Sequence, residues 1–144
     1  MKIGREIYSK ILENMLPAPL ETGGIIGGNN NIVTEFIFDA GSQGTDAEHY
    51  YPNTDKLNFY IAEWQKSGIE FYGIIHSHLQ EEKELSSGDR EYIQTIMLAM
   101  PKNISFLYFP IVLPQKEIIP FKAIRVVNKI NIIKSNIKII NERV

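Results

Sequence analysis

The chain has 144 residues, a net charge of −2 and 44% hydrophobic residues, enough for one compact soluble domain over 1–144 and too few for two. With 15 Lys and Arg against 17 Asp and Glu there is no basic excess for a run of phosphates, so nucleic acid is not an expected partner. The absence of cysteine excludes disulfides, thiol nucleophiles and thiolate zinc sites, so any metal must sit on His and carboxylate.

Charge arrives at once in Lys2, Arg5 and Glu6, with no apolar signal core behind it. No run approaches the roughly 20 apolar residues of a membrane helix. A cytoplasmic protein without membrane contact is expected. Ile3, Ile7, Ile11, Leu12, Met15 and Leu16 recur at helical spacing until Pro17 and Pro19, predicting a first helix. Residues 22–28 and 31–38 are β-prone runs separated by Gly27, Gly28, Asn29 and Asn30, which predicts a hairpin. Residues 40–52 read as a surface loop.

A second helix is predicted from Asn53 or Thr54 to Gly68, with Leu57, Tyr60, Ile61 and Trp64 on one face. Residues 69–77 predict a strand, 79–85 a charged loop, and Ser86 the cap of a third helix running to Pro101. From Ile104 onward, Ile-, Val- and Phe-rich runs predict antiparallel strands, with 130–140 a hairpin turning at Lys134, Ser135 and Asn136. The implied class is α+β, a mixed, largely antiparallel sheet flanked by about three helices.

His76 and His78 straddle one residue at a strand end, so the period of two puts both imidazoles on one face. Ser86 and Asp89 follow at the start of the next helix, bringing a carboxylate within reach. Two imidazoles and one carboxylate leave a fourth tetrahedral position for water, as at catalytic rather than structural zinc sites. Ser86 with Asp89 reads equally as a capping pair. The combined order, in a chain with only 3 histidines, favours a metal centre.

His76-Ser77-His78, Ser86 and Asp89, with Glu21 before Gly23-Gly24-Ile25-Ile26-Gly27-Gly28, resemble the signature of the JAMM metalloproteases, also called the MPN+ or JAB1 domain. One departure is Leu79, where many relatives have proline, and it leaves the loop's shape open. The resemblance implies a JAB/MPN fold of the cytidine-deaminase-like type, with one zinc ion per chain on His76, His78 and Asp89. It gives Glu21 the role of general base and acid, and it sets Ser86 beside the metal, where its hydroxyl can donate to the oxyanion.

The resemblance also implies peptide or isopeptide hydrolysis. Substrates would be ubiquitin-like proteins with glycine-ended tails, held as an added strand at a sheet edge. The compact length looks like the stand-alone prokaryotic members. Some of those act beside ubiquitin-activating-like and ubiquitin-conjugating-like enzymes, including in antiphage defence operons. Two rivals stay open: a peptidase acting on a sulfur-carrier protein in cysteine or cofactor biosynthesis, and a metal-free interaction domain offering its sheet edge with exposed Tyr50 and Tyr51. A phosphate-loop reading of the glycines fails, because no Lys-Ser or Lys-Thr follows them. His49 with Asp46 and Glu48 reads as solvated loop rather than a second metal site.

Overall fold

The computed structural model describes residues 1–15, 21–42, 50–78 and 82–141. The predicted stop at Leu16, Pro17 and Pro19, the His49 group, Leu79 and Glu81 lie outside these residues. In chain order the elements are β1 (Lys2–Gly4), α1 (Arg5–Asn14), β2 (Gly23–Asn29), β3 (Ile32–Asp39), α2 (Thr54–Lys66), β4 (Glu70–Ser77) and α3 (Ser87–Ala99). They continue as β5 (Phe106–Tyr108), β6 (Ile111–Leu113), β7 (Glu117–Ile119), β8 (Phe121–Val126), β9 (Lys129–Lys134) and β10 (Lys138–Ile140). All ten strands join one mixed sheet, ordered β10-β1-β3-β2-β4-β5-β8-β9, with β6 pairing β4 and β7. The expected α+β class holds.

The hairpin of β2 and β3 turns on Asn30 and Asn31, both at positive φ, 55° and 63°, as a two-residue turn of the primed kind demands. Gly27 and Gly28, expected in that turn, lie within β2, where the register with both neighbours shifts. α2 begins as predicted, with the Asn53 side chain accepting from Lys56 N. It stops at Gly68 (φ 74°), where the Ile69 N–H returns to the Trp64 carbonyl.

Two expectations need correction. Residues 2–4 form a strand rather than the first turn of a helix: β1 lies parallel between β3 and β10. The spacing Ile3, Ile7, Ile11 imitates one continuous helix because all three are buried on the same side of the sheet. The predicted 130–140 hairpin does not form. β9 pairs antiparallel with β8, and β10 crosses the molecule to pair parallel with β1. β5 and β6 are likewise parallel to β4. The longest pairings, β2 with β3 and β4 and β8 with β9, are antiparallel.

Alternation along the central strands sorts the core into two layers. Ile25 and Ile74 pack with Leu57, Trp64, Ile93 and Met97 on the side of α2 and α3. Ile26 and Ile75 pack with Ile7 and Ile11 on the side of α1. His76 and His78 continue the Ile74 series and so face α3, while Ser77 continues the Ile75 series and is fully buried.

Candidate metal centre

β4 carries His76 to the edge of the α3 layer, and two neighbours fix the strand there. Gly23 of β2 pairs with His76 on one side and Ile111 of β6 on the other. Pro110 interrupts the run from β5 to β6, because proline has no N–H for the ladder, but its carbonyl still accepts from His76 N. His78 N donates to Val112 O at 3.0 Å, holding the residue just past the strand end.

α3 delivers the carboxylate. Ser86 is the N-cap of a full capping box: its Oγ accepts from Asp89 N at 3.0 Å, and its N–H donates to Asp89 Oδ2 at 2.9 Å. The cap and ligand readings of this pair therefore coexist, since the capping geometry is what aims Asp89 at the histidines. Asp89 Oδ1 lies 3.3 Å from His76 Nε2, Asp89 Oδ2 lies 3.1 Å from His78 Nε2, and the two Nε2 atoms are 3.0 Å apart.

His78 Nδ1 sits 2.9 Å from the Glu82 carbonyl, which can only accept, so a neutral His78 presents Nε2 as a bare acceptor. Around it stand the Asp89 carboxylate, which when ionised only accepts, and His76 Nε2, whose role follows its tautomer, so either a proton or a cation can sit among the three groups. Ligand atoms about 2.0–2.2 Å from a tetrahedral ion lie about 3.3–3.6 Å from one another. The separations here are close to that. His76, His78 and Asp89 are thus positioned to hold a metal ion, and their donor set fits one.

In the metal-free protein the same contacts shift protons. Burial works to raise the Asp89 pKa, but hydrogen bonds from His76 and His78 hold the carboxyl well below the usual range. Burial works to lower that of His78, yet the hydrogen bonds to Asp89 and Glu82 and the charges of Asp89 and Glu21 leave it raised.

Glu21 is buried, 7% exposed, rather than a solvated strand-end residue. Its lead-in to β2 is held by Ser77, whose Oγ accepts from Thr22 N at 2.9 Å while its N–H donates to Thr22 O at 2.8 Å. Sequence reading singled out neither Ser77 nor Asp39. Ser77 had one signal, its place between two histidines on the opposite, buried face.

Tyr50, expected to be exposed, is half-buried. Its hydroxyl donates to the buried Asp39 carboxylate at 2.6 Å, and burial followed by that bond pushes its pKa up. Asp39 also accepts from Asn53 N at 2.9 Å, tying the start of α2 to the end of β3. The Tyr50 ring lies where a Cβ on Gly23 would be, so glycine is required there for close approach. Tyr51 is 48% exposed, as expected. Beside the centre lies a cleft of about 420 Å³ reaching His76, Ser86 and Asp89.

Residues 5–123 match a family described as prokaryotic homologs of the JAB domain. A solution structure of a protein from Desulfitobacterium hafniense is similar at TM-score 0.69 and 18% identity, covering 98% of this chain and 93% of that one. The crystal structure of a JAB1/MPN domain protein from Archaeoglobus fulgidus is similar at TM-score 0.57 and 16% identity, covering 98% and 97%. A solution structure of a protein from Salinibacter ruber matches at TM-score 0.55 and 16% identity, covering 95% and 90%. No curated protein matches.

Proposed function

The chain belongs to the family of prokaryotic homologs of the JAB domain, and from that premise we propose that it is a zinc-dependent peptidase or isopeptidase. Its substrate would be a ubiquitin-like protein, removed or processed at its C-terminal tail. The observation that carries this reading is the convergence of His76, His78 and Asp89, two imidazole nitrogens and a carboxylate close enough to take one cation between them. A divalent ion held there supplies a Lewis acid and brings the pKa of water from 15.7 to about 7.

The remaining work falls to side chains. Glu21, in the residues that lead into β2, takes the proton of the attacking water and returns it to the leaving amine. Its burial supports this role, because a proton taken from water there is shielded from bulk solvent before it is returned. Ser86 Oγ, already accepting from Asp89 N, still has its own O–H to donate to the developing oxyanion. Asp39 and Tyr50 brace the adjoining wall. On this reading the protein works in the cytoplasm, beside ubiquitin-activating-like and ubiquitin-conjugating-like enzymes.

The test offers zinc-loaded protein a panel of ubiquitin-like and sulfur-carrier fusions and locates the cut by intact mass. Cleavage at a tail, abolished by chelation and restored by zinc, is the expected result. Glu21→Gln should keep its zinc and lose most hydrolysis. No cut in any fusion would overturn the proposal, and cleavage of the sulfur-carrier fusions alone would reassign the substrate.

A further inference from the structure

The cleft beside the metal centre is larger than an ion and its water need. At about 420 Å³ it falls within the range of small-ligand pockets, about 300–1,000 Å³. Its character changes along its length. One end is polar and carries His76, Ser86 and Asp89; the rest is floored by Ile74, Ile93 and Phe109, none more than 7% exposed. Tyr50 and Tyr92 form half-buried walls, and burial, first among the causes, pushes both phenols up in pKa, so both stay neutral. The Tyr50 hydroxyl is committed to Asp39.

A scissile bond at the polar end leaves the apolar end for a neighbouring side chain of the substrate. Which side of the bond that is follows from Glu21. The leaving nitrogen must come within reach of the residue that protonates it, and Glu21 is not among the residues lining the cleft. The cleft is therefore left to the acyl side. A glycine there would leave the half-buried Tyr50 and Tyr92 walls facing water or a void, forfeiting both burial and dispersion contacts.

The geometry points to a specificity pocket for a bulky apolar acyl-side residue, leucine or phenylalanine, in place of the glycine that the family resemblance implies. This rests on the hydrolase reading above and narrows its substrate. Burying one such side chain discriminates about 10- to 100-fold against glycine.

The experiment uses tail peptides that differ only in the acyl-side residue, Gly, Ala, Leu or Phe, with zinc-loaded full-length protein. Cleavage rate is read on the intact peptides, and affinity for the carboxylate products is read by calorimetry. Leu and Phe should lead Gly by at least tenfold in both. Thr95→Phe, on the exposed face of α3 at the cleft's rim, should erase that lead by filling the pocket. Glu91→Leu, at the same rim, is a second variant should the first fold poorly.

Zinc-dependent cleavage with no preference, or with glycine preferred, overturns the pocket and leaves the hydrolase standing. Binding preference without cleavage of any peptide supports the pocket and overturns the hydrolase. Absence of both overturns both.

Discussion

At the residue scale, His78 shows how one hydrogen bond sets what an imidazole can do. Its Nδ1–H is spent on the Glu82 carbonyl, so the only nitrogen left to titrate is Nε2, which faces Asp89 and His76. Burial lowers its pKa, but the Asp89 carboxylate and the Glu82 carbonyl more than reverse that, and the net shift is upward from 6.5. A raised pKa means the proton is held to a higher pH, so in the metal-free protein proton and metal compete for one lone pair. Asp89 does not share in that competition there, because its carboxyl is held well below the usual range and stays ionised. Ring-proton NMR of metal-free protein should therefore show His78 titrating above 6.5, with metal affinity declining up to about tenfold per pH unit below that point. Asp89→Asn removes two of the upward causes and should bring the titration down. An unchanged midpoint would show that Asp89 does not hold the ring.

At the scale of elements, the site is a meeting of β4 with the lead-in to β2 and the start of α3. Ser77 joins the first two. Its buried Oγ is the acceptor for Thr22 N, and its own N–H goes to the Thr22 carbonyl, so the residue between the ligands also holds the segment carrying Glu21. Ser77→Ala leaves the Thr22 N–H unsatisfied at a cost of about 1–3 kcal/mol. If Glu21 acts as proposed, the variant should bind zinc normally yet lose kcat rather than affinity for substrate, and Ser77→Thr should recover part of the loss. Loss of zinc from Ser77→Ala would instead mean that it distorts the histidines.

The ligand set was legible before any coordinates because it is local: a period of two along β4 and a helix cap 8 residues beyond His78, at Ser86, place all three groups. The Asn53 cap and the Gly68 stop of α2 were legible for the same reason. What could not be read were contacts between distant segments. Asp39 follows Phe38 as an unremarked strand-end carboxylate, and only the fold brings Tyr50 and Asn53 onto it. Without that knowledge Tyr50 reads as a surface aromatic.

At the scale of the whole molecule, the sheet's edges and centre obey different information. Periodicity predicted its strands but not that β10 returns to β1 or that β5 and β6 run parallel to β4, because parallel neighbours leave no hairpin turn to announce them. The two central strands, β2 and β4, are covered on both faces, and it is here, at the end of β4, that the ligands sit. A cation bound there would bridge β4 to α3, two elements already packed through Ile74 and Ile93. Ligand that binds only the folded state stabilises it by RT ln(1 + [L]/Kd), about 2.7 kcal/mol at a hundredfold excess over Kd. For a domain near this size each kcal/mol moves Tm by about 2–4 °C. Zinc should therefore raise the melting temperature by about 5–10 °C, a chelator should return it to the metal-free value, and Asp89→Asn should melt at one temperature with or without zinc. A wild-type melt indifferent to zinc would count against a metal centre altogether. The half-buried Tyr50, the exposed Tyr51 and the sheet edge would then be the parts of the molecule left to explain its function, as an interaction domain.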